Sequence, residues 1–183
     1  MEIPRLHKIR KPVSVLVLFG LVFSLAGPVQ TSIVSAAPAA CTTTITNHIA
    51  IDTIWSNSGS PYCLVMSEPV QIGVDATLTI SPGVTVFITD PNGGLIVNGT
   101  LDAFGTQLDP VVFTSDESTP QPGDWGRISV PTSGQAQMEY CQVGYAGSNT
   151  DEAILVETDN FELNNSRVHH TAGRGFDFWA RSA

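Results

Sequence analysis

The feature that most limits what this chain can fold into is that it repeats. Val74-Asp75-Ala76-Thr77-Leu78 returns as Val97-Asn98-Gly99-Thr100-Leu101, an offset of 23 residues. Val84-Thr85-Val86-Phe87 is answered by Pro110-Val111-Val112-Phe113 at an offset of 26. Met138-Glu139-Tyr140-Cys141-Gln142-Val143 aligns with Leu163-Asn164-Asn165-Ser166-Arg167-Val168 at 25, and Ala153-Ile154-Leu155-Val156 with Gly175-Phe176-Asp177-Phe178 at 22. A unit of 22–26 residues is too short to bury its own apolar side chains, so successive units must stack on one another.

The units are made of short strands. Runs rich in Val, Ile, Thr and Phe occur at Thr77–Ile80, Thr85–Ile88, Leu95–Val97, Thr100–Ala103, Val111–Thr114, Ile128–Val130, Met138–Val143, Ala153–Val156 and Phe176–Phe178. Turn residues separate them, as in Ser81-Pro82-Gly83, Asp90-Pro91-Asn92-Gly93-Gly94 and Asn98-Gly99. After residue 41 no stretch keeps a helical period. Three short strands and three turns per unit are what one rung of a parallel β-solenoid needs. An antiparallel β-sandwich with chance similarity between strands is the alternative; the narrow range of offsets favours the solenoid.

Composition agrees with a folded chain. At 42% hydrophobic and 14% charged, the 183 residues are too apolar for disorder, and they suffice for one ordinary domain. The net charge of −9 hides an asymmetry. Arg5, Lys8, Arg10 and Lys11 open the chain against a single acid, Glu2. The remainder therefore holds four cations, all Arg, against sixteen acids, a net of −12 with no lysine. That balance argues against nucleic acid as a partner and against docking on anionic membranes.

Pro12 to Ala26 is a run of about fifteen mostly apolar residues, closed by Gly27-Pro28. The small residues Ser35-Ala36-Ala37-Pro38-Ala39-Ala40 follow. A basic start, an apolar run and small residues form the pattern of a secretory signal peptide over residues 1–40. The run is shorter than the ~20 residues that span a bilayer. Membrane contact is therefore expected only before cleavage, and the mature chain is expected in the extracellular space or at the cell surface. Pro38 stands where a lipid-modified Cys41 would want a leucine-like residue, which argues against lipidation. In an exported chain, Cys41 and Cys63 can close a loop by a disulfide. Cys141 is then left over, as a small buried hydrophobe. No C-x-x-C pair supports a metal site.

Several segments closely resemble one known family. Leu95-Ile96-Val97-Asn98-Gly99-Thr100-Leu101-Asp102-Ala103-Phe104-Gly105-Thr106 is similar to a segment of secreted bacterial right-handed parallel β-helix repeat proteins, of the pectate-lyase-like superfamily. Ala76–Val84 resembles the preceding rung. Pro110–Ser115 with Pro122-Gly123-Asp124-Trp125-Gly126 resembles the next, and Met138–Cys141 with Tyr145-Ala146-Gly147 the one after. The likeness covers about residues 52–178. It implies an all-β fold, a right-handed parallel β-helix with a capping segment over 41–69 and rungs over 70–183. Phe176–Phe178 opens a rung with nothing cap-like behind it, so the chain is expected to be the N-terminal part of a longer solenoid. The motifs are specific for the fold and not for an activity, because this architecture carries lyases, hydrolases, adhesins and other surface proteins.

Catalytic residues are not evident. The resemblance implies a Lys or Arg base with Ca²⁺-binding acids for a lyase, and clustered aspartates for a glycoside hydrolase, whose chemistry needs two carboxylates at a set separation. Arg127, Arg167, Arg174 and Arg181 are isolated and read as a solvated face. Asp116-Glu117, Asp151-Glu152 and Asp159 are the acids that could hold Ca²⁺, but no known loop spacing joins them, and dispersed acids serve solubility. No cofactor is therefore expected. Asp124 in Gly-Asp-Trp-Gly reads as a turn residue. Trp125 is either a platform for a sugar ring or a cover for the core where a loop, about Ser115 to Asp124, leaves the helix. Asp124 and Trp125 are the candidate carbohydrate contacts. His169-His170 reads as the turn after Val168; neighbours on a strand face opposite ways, which argues against a shared metal. Asn98-Gly-Thr100 and Asn164-Asn-Ser166 fit a glycosylation pattern and are read as structural. The expected function is an exported structural or binding module, presenting a face to polysaccharide or another surface component. The alternative is the N-terminal part of a polysaccharide lyase or glycoside hydrolase.

Overall fold

The computed structural model describes residues 40–150 and 152–179, and the signal peptide expected over residues 1–40 lies almost wholly outside them. Sixteen short strands follow one another with no α-helix among the described residues; a single 3-10 turn spans Asn57–Gly59. In chain order they are β1 (Thr43–Ile45), β2 (Thr53–Trp55), β3 (Tyr62–Leu64), β4 (Val70–Ile72), β5 (Thr77–Ile80), β6 (Thr85–Ile88), β7 (Gly94–Val97) and β8 (Thr100–Phe104). They continue as β9 (Val111–Ser115), β10 (Arg127–Val130), β11 (Gln135–Glu139), β12 (Cys141–Gly144), β13 (Glu152–Val156), β14 (Phe161–Asn164), β15 (Arg167–His169) and β16 (Arg174–Phe178).

From β2 onward every third strand belongs to the same sheet, and β1 joins the sheet of β3. The first sheet runs β1-β3-β6-β9-β12-β15, the second β4-β7-β10-β13-β16 and the third β2-β5-β8-β11-β14. All pairings are parallel. The chain is thus a right-handed parallel β-helix with three faces. The segment expected to cap it, residues 41–69, carries β1, β2 and β3, which pair in register with the rungs above.

Side chains alternate in and out along each strand, and the inward ones meet their counterparts one rung away. In the third sheet Leu78 lies over Leu101 and Leu101 over Ala136; Ile80, Ala103, Met138 and Leu163 form the ladder beside it. In the second sheet Val70, Leu95, Ile128, Ile154 and Phe176 line up. In the first, Tyr62, Val86, Phe113, Val143 and Val168 do so. These ladders fill one continuous core in which most members are fully buried. Burying each Leu, Ile, Val or Phe contributes about 1.5–3 kcal/mol.

Three of the four repeat alignments coincide with the observed register: Leu78↔Leu101, Met138↔Leu163 and Ile154↔Phe176. The fourth does not. Val86 pairs with Phe113, an offset of 27 rather than 26. The reason is the pleat: at 26, inward Val86 would face outward Val112, and a slip of one residue moves a whole strand to the wrong face. One turn is also longer than the repeat. Thr100 pairs with Gln135, because the loop between β9 and β10 is inserted into that rung. Met138–Val143, read as one strand, is two. Tyr140 (φ 48°) turns the corner between β11 and β12.

The corners also explain the glycines. A Cβ on Gly134 would stand 1.9 Å from the Val97 carbonyl oxygen of the rung below, and one on Gly99 2.0 Å from that of Gly73. Neither clash can be relieved without moving backbone. Toward the N-terminal end of the described residues Cys41 and Cys63 are joined by a disulfide, with their Cα atoms 5.8 Å apart, in the pairing the sequence suggests.

Gly134→Ala is expected to cost at least about 2 kcal/mol of stability, in the range of severe backbone clashes. Thermal unfolding followed by circular dichroism should show the midpoint fall by several degrees or more. An unchanged midpoint would contradict the close approach of the rungs at this corner.

Candidate functional site

The outward side chains of the second sheet form their own ladder: Gln71, Ile96, Ser129, Leu155 and Asp177 lie opposite one another in turn. Two clefts open along it. The first, about 240 Å³, is lined by Pro69, Asn92, Ile96, Arg127, Ser129 and Asn149 among others. Its rim is held by loops from different rungs, since the Asn149 amide donates to the Asn92 side-chain oxygen at 3.2 Å. The second, about 330 Å³, is lined by Glu152, Leu155, Glu157, Arg174, Asp177 and Trp179.

Charge on this face is paired rather than merely solvated. Arg127 stands on β10 and forms a salt bridge with Glu152 on β13, whose side chain is only 7% exposed. A buried carboxylate left without its partner is strongly destabilising, so the pair holds two rungs together at the edge of both clefts. Arg174 pairs with Asp177 at 3.2 Å. Arg167 is exposed, and Arg181 lies outside the described residues. The reading of all four as an isolated solvated face therefore fails for Arg127, which sequence spacing could not connect to Glu152 25 positions away.

Trp125 is fully buried, and its indole N–H donates to the Gly144 carbonyl at 2.8 Å. The ring offers no face to a sugar. It closes the core where the loop rejoins the helix, beside Ala146 of the next rung. Asp124 serves that same loop. Its carboxylate accepts the Gln121 backbone N–H at 2.8 Å, while its own N–H donates to the Tyr145 carbonyl. An aromatic lining the second cleft is instead Trp179, 62% exposed, with its backbone N–H donating to the Val156 carbonyl. Sequence reasoning passed over it because it follows the last strand without any flanking motif.

Cys141 is buried and free, with its thiol 3.4 Å from the Ala103 carbonyl oxygen. Burial pushes the thiol from its ordinary 9.0 up to about 12, despite a hydrogen bond with Ser166 that pulls the other way. Asp102 and Asp116 are likewise raised, in each case chiefly by burial. Among the described residues no group of three or more His, Cys, Asp or Glu side chains converges as a metal site; Asp151 lies outside them. No helix of the described residues is long and apolar enough to cross a membrane.

His169 and His170 depart from the strand rule. His169 ends β15, but His170 adopts φ 50°, and this kink swings its ring back to its neighbour's side. The two Nδ1 atoms come to 2.7 Å. His169 is held below the usual histidine range by burial first, then by the charges of Arg167 and His170. The expectation of opposite faces is overturned by one left-handed residue.

The folded Cys141 thiol is expected to resist Ellman's reagent at pH 8 and to react fully once the chain is unfolded. Because its pKa is raised on folding, the associated stability is present below about pH 9 and is lost as pH rises toward 12. A denaturant titration at pH 8 and pH 10.5 should show this loss, and rapid labelling of the native protein would contradict it.

Comparison with known proteins agrees with this architecture. Residues 48–156, more than half of the chain, match the pectate-lyase like beta helix domain. Protein bark beetle of Drosophila melanogaster is 38% identical over 72 residues, an alignment covering 39% of this chain and 2% of that protein. The chain thus spans a very small part of the curated relative, which is an insect protein rather than a bacterial one. No solved structure matches. With three parallel sheets, stacked inward ladders and this match over most of the helix, the chain belongs to the pectate-lyase-like β-helix domain family.

Proposed function

We propose that this chain is an exported binding module, and that the outer face of its second sheet is the surface it presents to polysaccharide. The observation that carries the reading is the pair of clefts along one outward ladder, with Trp179 exposed at one end. Arg127, Asn92, Asn149 and Ser129 place guanidinium, amide and hydroxyl groups around the first cleft. Such groups, with an aromatic platform, are what the hydroxyls and apolar faces of sugars require. Successive strands lie about 4.8 Å apart, so Gln71, Ser129 and Asp177 on alternate strands, with Ile96 and Leu155 between them, offer polar and apolar groups in turn along an extended ligand.

Charge narrows the ligand. A chain at −12 after Lys11, with no lysine, repels a polyanion. A neutral polysaccharide is therefore the better fit than a uronate polymer. The export reading is supported by the basic start, the apolar run and the small residues before Cys41, and the disulfide at Cys41–Cys63 suits an oxidising compartment.

Affinity electrophoresis against a soluble neutral glucan, a galactan and polygalacturonate tests the proposal. Retardation by a neutral polymer is expected, with Trp179→Ala weakening it roughly tenfold at unchanged thermal stability. No retardation by any polymer, or equal retardation of the variant, would overturn it. Incubation with polygalacturonate and Ca²⁺ should release no unsaturated uronate; a steady rise in ultraviolet absorbance would move the chain to the lyase reading.

A further inference from the structure

Away from the clefted sheet, three aromatic rings meet on the outside of the first sheet. Tyr145 lies at φ 65° just after β12 and stacks on His170, with ring centroids 5.2 Å apart and planes 12° apart. His169 meets both rings edge-on, at 5.9 Å from Tyr145 and 5.0 Å from His170. The packing beneath is specific. A Cβ on Gly144 would stand 2.7 Å from the His169 ring, so only glycine there lets the imidazole lie down against the sheet. Two left-handed residues, one glycine and a ring stack thus hold both imidazoles in a hydrogen bond between their Nδ1 atoms, 2.7 Å long, in which one ring donates and the other accepts.

We propose that His169 and His170 form a two-nitrogen site for a late first-row divalent metal, Cu²⁺ foremost. Imidazole suits these ions, and affinity for nitrogen donors peaks at copper. Both nitrogens can ligate once this hydrogen bond opens and the donor ring shifts its proton to Nε2, which frees both Nδ1 lone pairs on one side of the sheet. His170 is exposed, so the pair is open to an ion from solvent. His48 is a built-in control: its Nδ1 accepts the Gln71 backbone N–H at 3.1 Å, at the other end of the solenoid.

The test is titration of the full chain with Cu²⁺ alone, in a non-coordinating buffer such as N-ethylmorpholine, read by electron paramagnetic resonance. One equivalent should bind with superhyperfine splitting from two nitrogens. His169→Ala and His170→Ala should each raise Kd by at least about tenfold and remove the two-nitrogen signature. His170→Phe, which keeps a ring stacked on Tyr145, should do the same, so loss of binding is separable from loss of packing. His48→Ala should leave the signal intact. Absence of one-equivalent binding, a two-nitrogen signature that survives in His170→Phe, or its loss in His48→Ala would overturn the site.

Discussion

Everything in this molecule depends on inward side chains that no rung can bury alone. Leu78, Leu101 and Ala136 stack on one another along the axis and share one narrow interior with the ladders of the other two sheets. Parallel backbone pairing sets the spacing at about 4.8 Å, and the inward ladders exploit it. The same constraint reaches the corners. Gly99 and Gly134 are needed where consecutive turns bring backbone against backbone, and Tyr140 and His170 take left-handed conformations where the chain must change direction.

The outer surface inherits this regularity. Because outward residues are also stacked in register, a polar or charged group on one strand finds neighbours at a fixed spacing on the next. The ladder from Gln71 to Asp177 becomes one continuous face this way, and Arg127 reaches Glu152 from one residue out of register, 25 positions on where Ile128 pairs with Ile154 at 26. Departures from regularity are where distinct chemistry appears. The insertion between β9 and β10 brings Trp125 into the core, and its hydrogen bonds to Tyr145 hold the strand end on which the histidine rings rest.

Much of the architecture was legible in the residues, because a stacked fold writes its period into the sequence. Leu78 and Leu101, or Met138 and Leu163, occupy equivalent positions and therefore carry similar side chains. The strands β1 to β4 were not legible: they are three residues each, and Thr43-Thr44-Ile45 or Val70-Gln71-Ile72 carries too little pattern to stand out. The Val86–Phe113 register was missed by one residue because the two strands share their β-branched character on both faces. The candidate site was less legible still. Trp125 attracted a binding role by its turn motif yet is sealed in the core, whereas Trp179 stands exposed with no motif at all. The convergence of His169 and His170 depends on a single backbone angle, which residue identity does not reveal.

The central claim is that parallel rungs stack in the stated register, and contacts between inward side chains report on it directly. In a methyl- and aromatic-labelled sample, nuclear Overhauser effects are expected between Val86 and the Phe113 ring, and along Leu78, Leu101 and Ala136. Contacts joining Val86 to Val112 instead, or cross-strand Hα–Hα contacts of antiparallel pairs, would contradict the account.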